Sequence, residues 1–119
     1  MGREFRRTDR LAESIRRELA ELLLKGVNDP RLDGVMVSDV EVSRDLAYAR
    51  VYLTLPSGRE RPEDATILKA FERATGFFRR RLAASLTIRA VPELRFEIDR
   101  TLDEASRIEG LLAASRQRP

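Results

Sequence analysis

The sequence contains neither cysteine nor histidine. Without cysteine there can be no disulfide framework and no thiolate chemistry. Without histidine the chain lacks the commonest general base and the commonest metal ligand. A serine nucleophile would have no imidazole partner, and a metal site would be limited to oxygen ligands. We therefore expect a protein that is not an enzyme and that uses no cofactor and no metal.

Phosphate-binding and calcium-binding loops are also missing. Neither G-x-x-x-x-G-K-[ST] nor G-x-G-x-x-G occurs, and the acidic residues between Asp29 and Asp33 lack the spacing of a calcium loop. No apolar run approaches the roughly 20 residues that cross a bilayer. The N-terminal stretch is charged from its third residue, unlike the apolar centre of a signal peptide. We expect a cytoplasmic protein that does not associate with membranes.

The charge is abundant but nearly balanced. The net charge of +3 comes from 23 basic and 20 acidic residues, and the only lysines are Lys25 and Lys69. Arginine therefore supplies almost all of the positive charge. A guanidinium can hold a phosphate with two parallel hydrogen bonds and can stack on a base, so this bias favours nucleic-acid binding. GC-rich coding raises the arginine content equally well, and both explanations stay open at this point.

The first half of the chain predicts a helix followed by two strands. An apolar stripe predicts an amphipathic helix over residues 8–25, ended by Gly26. The stripe consists of Leu11, Ile15, Leu19, Leu22 and Leu23. The next strand changes its alternation near Ser38, which predicts either a β-bulge or a strand that starts after Val35. Residues 47–55 alternate cleanly, so the two strands are expected to form an antiparallel hairpin.

The second half predicts helices around a third strand. A helical stripe runs from Ile67 to Leu86 and is interrupted by Gly76, which predicts a kink between two helices. Leu94, Phe96 and Ile98 alternate as a strand, and a short C-terminal helix capped by Thr101 follows. We expect an α+β fold with helices on one face of a three-stranded sheet. The domain spans residues 1–100, and residues 101–119 form the C-terminal helix and a frayed tail.

Two surfaces could bind nucleic acid. Arg79, Arg80 and Arg81 follow the glycine at steps of about 100°, so at most two of them can face one ligand. They predict either a phosphate site beside the kink or an ordinary solvated helix face. Tyr48 and Tyr52 share a strand face with Arg50, which predicts either a platform for stacking bases or plain sheet surface.

Several short motifs, in order along nearly the whole chain, resemble the ribosome-binding factor A family. They are Asp29-Pro30-Arg31-Leu32, then Val40-x-Val42-Ser43-x-Asp45-Leu46-x-x-Ala49-x-Val51-Tyr52, then Ala74-x-Gly76-x-x-Arg79, then Ile88-Arg89-x-Val91-Pro92-Glu93-Leu94-x-Phe96-x-x-Asp99. The resemblance implies a type II KH-like fold in which Ala74-Thr75-Gly76 forms a helix kink in place of a glycine-rich loop. It also implies a bacterial assembly factor that acts late in the maturation of the 30S small ribosomal subunit and in rRNA processing, including in the cold.

Together, the arginine clusters and the family pattern predict the RNA-binding residues. We expect a monomer that binds the 30S subunit and its 16S ribosomal RNA mainly through phosphate contacts. The predicted contacts are Arg3, Arg6, Arg7, Arg10, Arg31, Arg44, Arg73, Arg79, Arg80 and Arg89. The alternative is a protein-interaction module that binds through its sheet edge or first helix and uses arginine for solubility. The near-balance of charges favours this alternative, because general nucleic-acid binders are usually more basic.

Overall fold

The computed structural model describes residues 3–25, 27–58, 60–101 and 108–112, with backbone only for residues 3–6. It contains two long helices and one three-stranded sheet. The order along the chain is α1 (Arg3–Lys25), a 3₁₀ turn (Pro30–Leu32), β1 (Met36–Val42), β2 (Tyr48–Thr54), α2 (Asp64–Ser85) and β3 (Glu93–Ile98). Across these ranges, no helix is both long enough and apolar enough to cross a membrane.

Helix α1 follows the predicted apolar stripe. Ala12, Ile15, Leu19 and Leu22 are buried at the spacing of one helix face, and this face packs against β1. The helix begins five residues before the predicted start, at Arg3. The predicted stop at Gly26 lies outside the described residues. The amphipathic pattern thus positions α1, and most of its exposed residues are polar, with Leu24 as an exception.

The sheet has the strand order β1-β2-β3. β1 and β2 are antiparallel, as predicted, and their register shifts between Val37 and Asp39. This bulge explains why the sequence changes its alternation near Ser38, and β1 also starts after Val35. β3 pairs with β2 in parallel, so it must be reached by a crossover connection, which α2 provides.

Both helices cover the same face of the sheet, and the core lies between the layers. Phe71 and Phe78 of α2 are buried and lie with their ring centroids 5.8 Å apart. Phe96 of β3 packs against both rings, at 5.1 Å and 6.0 Å. The opposite face of the sheet is open to solvent over β2 and β3, in line with the predicted one-sided arrangement.

The segment around Gly76 differs from the expectation of two helices. Asp64–Ser85 is one continuous α-helix that contains Ala74, Thr75 and Gly76. A single glycine costs about 1 kcal/mol relative to alanine, which flanking helix formers and a buried apolar face can offset. Thr75 Oγ1 donates a hydrogen bond to the Phe71 carbonyl at 3.2 Å, a contact that often bends helices without ending them. The two-helix prediction is therefore wrong, and a local bend at Ala74-Thr75-Gly76 stays a prediction.

Part of the C-terminal region is described. Thr101 and residues 108–112 are helical, whereas the rest of the predicted C-terminal helix and tail, residues 102–107 and 113–119, lies outside the described residues. Ile108, Leu111 and Leu112 are all more than half exposed. The division into a domain over residues 1–100 and a tail over 101–119 stays a prediction.

Candidate nucleic-acid interface

The strand topology brings two loops together at one end of the sheet, which we call the hairpin end. It consists of the β1–β2 turn (residues 43–47) and the segment before β3 (residues 86–92). The backbone N–H of Glu93 donates to the Ala47 carbonyl at 2.8 Å and joins the two loops. Arg44 and Arg89 are exposed on these loops, one on each. The topology thus places two predicted contacts at the same edge.

The N-terminal half of α1 points toward the same end. Arg16, in the middle of α1, and Val37 of β1 line the same groove, so the middle of α1 lies beside β1. The C-terminal part of α1, at Leu24, lies beside the start of β1, at Met36. α1 therefore runs antiparallel to β1, and its first turns, with Arg7 exposed, extend toward the hairpin end.

The basic residues divide into two groups by whether they have an acidic partner. Within the described part of the chain, the side chains in one group make no ion pair. They are Arg7, Arg10, Arg44, Lys69, Arg73, Arg79, Arg80, Arg81 and Arg89. The other group pairs with nearby carboxylates and includes Arg16, Arg31, Arg50, Arg61, Arg95 and Arg100. A basic side chain with no carboxylate beside it is not neutralised by the protein, so its positive charge can attract an anion from outside.

Three members of the unpaired group form a stripe along α2, which we call the cationic ridge: Lys69, Arg73 and Arg80. At about 100° per residue they fall within an arc of about 40°, and they span about 16 Å of helix axis. This arc lies opposite the buried face of α2, which includes Phe71 and Phe78. The ridge is therefore fully presented to solvent.

Gly76 lies on the ridge between Arg73 and Arg80. A Cβ built on Gly76 would meet only the Arg80 guanidinium, at 3.4 Å, and its φ is not in the left-handed region. Neither packing nor backbone conformation in the folded protein therefore requires a glycine here. The missing side chain leaves helix backbone bare among cations, where a phosphate could approach closely.

Arg79 and Arg81 lie on opposite flanks of the ridge. Arg79 Nη2 donates a hydrogen bond to the Val91 carbonyl at 3.1 Å and so ties α2 to the segment before β3. This bond leaves its positive charge without an acidic partner. The three neighbouring arginines thus fan around the helix as their spacing predicts, with Arg80 at the centre.

Arg31 lies away from the other predicted contacts. It precedes β1, at the end of the sheet opposite the hairpin end, and it forms two hydrogen bonds with Asp29, at 2.9 Å and 2.6 Å. The Arg31 side chain, followed by its backbone N–H, lowers the pKa of Asp29. Asp29 also caps the 3₁₀ turn, so the pair has a local structural role. The structure therefore does not bring Arg31 into the same surface.

The remaining predicted contacts belong to α1. Arg7 and Arg10 are exposed in its first turns. Arg3 and Arg6 are also helical, but the side chains of these two residues lie outside the described part of the structure. Two members of the unpaired group, both on α2, were missing from the predicted set: Arg81, on a flank of the ridge, and Lys69, on the ridge itself. The i, i+4 and i+11 relation of Lys69 to Arg73 and Arg80 could have identified it from the sequence.

The open face of the sheet does not resemble a base-stacking platform. The Arg95 guanidinium lies 3.9 Å from the ring centroid of Tyr48 and covers one face of that ring. Arg50 Nε lies 3.5 Å from a carboxylate oxygen of Glu97. Other side chains of the protein therefore already engage the Tyr48 ring and the Arg50 guanidinium.

Acidic side chains also surround Tyr52. Its hydroxyl donates to Glu41 Oε2 at 3.4 Å, and Glu93 and Glu97 line the adjacent strand on the same face. A phosphate chain would meet these carboxylates at short range. Of the two interpretations of this strand face, plain sheet surface is the one that the geometry favours.

A hydrogen-bonded turn holds Arg44 at the tip of the hairpin. Asp45 Oδ1 accepts from Ser43 Oγ at 2.7 Å and from the Ala47 N–H at 3.1 Å. These two bonds lower the pKa of Asp45, the Ser43 bond contributing most. The aspartate charge is thus engaged inside the turn, next to an arginine with no acidic partner.

An apolar groove lies at the opposite end from the hairpin. It has a volume of about 380 Å³ and lies between the C-terminal half of α1 and the start of β1. Leu24 and Met36 line it with 88% and 66% of their surface exposed.

Across the described residues, no group of three or more acidic, histidine or cysteine side chains could hold a metal ion.

The mixed three-stranded sheet with both helices on one face is a KH-like α+β domain. The sequence matches the ribosome-binding factor A family over residues 7–112. The chain belongs to the ribosome-binding factor A family, which confirms the resemblance. It is 41% identical over 120 residues to ribosome-binding factor A of Hahella chejuensis, covering 98% of this chain and 89% of that one. It is 43% identical over 112 residues to the Azoarcus protein, covering 94% and 87%.

Solved structures agree with the fold. The crystal structure of ribosome-binding factor A from Thermus thermophilus superposes with a TM-score of 0.69 at 29% identity, covering 79% of this chain and 97% of that chain. A Thermus thermophilus homology model fitted into a cryo-EM map of a 30S–ribosome-binding factor A complex superposes with a TM-score of 0.58 at 30% identity, covering 74% and 90%. The predicted α+β, KH-like fold is thereby confirmed.

Proposed function

We propose that this protein is a non-enzymatic assembly factor that binds the immature 30S subunit as a monomer through 16S ribosomal RNA. It assists late 30S maturation and rRNA processing in the bacterial cytoplasm, including in the cold. Family membership supports the ribosomal target, and a Thermus relative has been fitted into a map of its 30S complex. The observation that carries the RNA contact is the cationic ridge, whose three basic side chains lack acidic partners among the described residues.

The grip is mainly electrostatic. Each phosphate neutralised by an arginine or lysine releases condensed counterions, so the logarithm of the binding constant falls linearly with the logarithm of salt concentration. The slope is roughly −0.7 to −0.9 per phosphate, depending on whether the RNA is single-stranded or paired. A site made of the ridge plus Arg44 and Arg89 predicts a slope of about −4.

The test is a salt titration of binding to purified 30S subunits. The full chain is mixed with subunits from wild type and from a strain that accumulates immature particles, between about 50 and 200 mM salt. A steep slope with both particles supports phosphate contact. Flat salt dependence would contradict it.

An assembly factor must also distinguish one state of its target. Binding can shift a population only by the difference in affinity between two states. We therefore propose that the protein binds the immature subunit more tightly than the mature one. If the dissociation constants for the two particles are equal in the same titration, binding cannot favour one state over the other, and the proposed maturation role is contradicted.

A second candidate function is protein binding through the apolar groove between α1 and β1. Leu24, with 88% of its surface exposed, is the observation that favours it. Under this alternative, Leu24→Asp would abolish subunit binding, and charge reversals on the ridge would leave it unchanged. The reverse pattern supports the RNA-binding function.

A further inference from the structure

The β1–β2 turn is closed by backbone bonds and has a defined shape. The Leu46 N–H donates to the Ser43 carbonyl at 2.9 Å, which forms a tight turn over Arg44 and Asp45. The Ser43 N–H donates to the Tyr48 carbonyl at 3.0 Å and closes the hairpin. The side-chain bonds of Ser43 and Asp45 add to this frame, so the residue that follows the turn is held in one conformation.

That residue, Leu46, has a φ of 60°. The left-handed region is unfavourable for residues with a Cβ, and hairpins of this kind usually place glycine or asparagine there. Among the described residues, Leu46 is the only non-glycine residue with a positive φ. The backbone conformation at this position therefore favours glycine or asparagine over leucine.

Leu46 is only partly buried, so burial offsets this strain only in part. Leu46 retains 36% of its surface exposed and is not part of the hydrophobic core. The hairpin end therefore holds a large apolar side chain in a strained backbone conformation, outside the core and with about a third of its surface open to solvent. Strained residues that the surrounding structure holds in place concentrate at binding and catalytic sites.

The surroundings of Leu46 indicate the kind of ligand. Arg44, in the same turn, and Arg89, in the adjoining loop of the hairpin end, are exposed and make no ion pair within the described ranges. The charge of Asp45 is engaged by Ser43 and by the Ala47 N–H. An apolar tip between free guanidinium groups suits RNA, in which an unstacked base packs on a side chain while its phosphates bind arginine.

We propose that Leu46 contacts RNA directly, by packing against an unstacked base whose flanking phosphates are held by Arg44 and Arg89. This inference rests on the proposed function and assigns a nucleotide-binding contact to the hairpin tip. Apolar side chains are used in this way where proteins insert between bases.

The test separates folding from binding by substituting Leu46 in the full chain. Leu46→Asn removes the strain and the apolar contact together, so the melting temperature should rise by about 3 °C or more while the affinity for 30S subunits falls about tenfold. Leu46→Met keeps both the apolar side chain and the left-handed conformation, and it should change neither value. Leu111→Asn makes the same chemical change at an exposed helical residue and should leave binding unchanged.

Photocrosslinking from p-benzoylphenylalanine at position 46 then identifies the contacted molecule, with crosslinks to 16S RNA expected. Crosslinks to ribosomal protein alone, or Leu46→Asn binding as tightly as wild type, would overturn the inference and leave the proposed function intact. A melting temperature that does not rise would remove the strain on which the inference depends. Absence of subunit binding by the wild-type protein would overturn both.

Discussion

The cationic ridge and the open face of the sheet both carry arginine, but they use it differently. On the ridge, Arg73 and Arg80 have no ion pair within the described residues. On the sheet, Arg50 lies beside Glu97, and Arg95 lies 3.8 Å from Glu93 and covers Tyr48. The net charge of +3 averages over these two surfaces and describes neither. The position of the carboxylates decides which arginines can bind an external anion.

The difference follows from spacing along the chain. On a helix, side chains three or four residues apart are neighbours. Arg73 and Arg80 have no acidic residue at these distances, whereas Arg16 and Arg17 of α1 share Glu13. On the sheet, cross-strand neighbours from β2 and β3 bring opposite charges together.

The largest expected effect comes from reversing charge on one surface at a time. The pair Arg73→Glu and Arg80→Glu should weaken 30S binding at least about 100-fold, because each lost charge-assisted contact is worth roughly 1.5–3 kcal/mol. The pair Arg50→Glu and Arg95→Glu changes the net charge equally and should weaken binding by less than about threefold at physiological salt. Co-sedimentation with subunits measures both. Equal losses would mean that overall charge, not the ridge, determines binding.

A smaller effect is expected when the ridge is given the carboxylate that it lacks. Ala84→Glu places an acid four residues after Arg80, where the two side chains can pair. Affinity should fall several-fold. The slope of the logarithm of the binding constant against the logarithm of salt concentration should become shallower by the contribution of about one phosphate contact. Thr54→Glu adds the same charge to the sheet and is the control. Unchanged affinity and slope for Ala84→Glu would show that Arg80 does not contact the RNA.

Gly76 allows stability and binding to be compared at one ridge position. Gly76→Ala should raise the free energy of unfolding by about 0.5–1 kcal/mol, because alanine is the better helix former and the added Cβ has room. Binding should weaken, because the methyl group covers bare backbone. Ala84→Gly is the matched opposite change and should lower stability without weakening binding. Tighter or equal binding by Gly76→Ala would refute close phosphate approach.

The smallest effect concerns pH, and it tests the paired carboxylates. The pKa values of Asp29 and Asp64 are lowered mainly by hydrogen bonds with Arg31 and Arg61, and that of Asp99 is lowered mainly by the Thr101 N–H. Since these folded-state values lie below the unfolded value of about 3.9, their contribution is present above that pH and is lost as pH falls through the folded values. Urea unfolding should show constant stability from about pH 5 to 9 and a decline below about pH 4. A transition near pH 6.5 would contradict this prediction.

Much of the fold could be predicted from local patterns. The stripe of α1, the hairpin and the bulge near Ser38 all depend on residues close in sequence, and all three are confirmed. The parallel pairing of β3 with β2 was not predicted, because strand direction depends on the path of the connecting helix. The expectation of two separate helices around Gly76 was wrong, because core packing of Phe71 and Phe78 supports one uninterrupted helix, while a local bend there stays a prediction.

The sequence indicates which residue types could form the candidate site. The structure shows which of those residues are already held by other side chains of the protein. The arginines of the site were predicted from clustering and from the family pattern, but neither reveals that Arg31 is held by Asp29. The backbone conformation of Leu46 could not be predicted either, because leucine rarely adopts it. Both depend on neighbours in the folded structure, which the sequence does not reveal. Lys69, in contrast, could have been found from the helical spacing alone.

The parallel pairing of β3 has a consequence for folding during synthesis. β1, β2 and α1 are all present before α2 is complete, but the sheet cannot gain its third strand until the chain has passed Ile98. Contacts between residues distant in sequence form slowly, so docking of β3 is expected to be the last step. Until then Phe71 and Phe78 lack the Phe96 ring, and a stalled nascent chain would expose aromatic surface that favours aggregation.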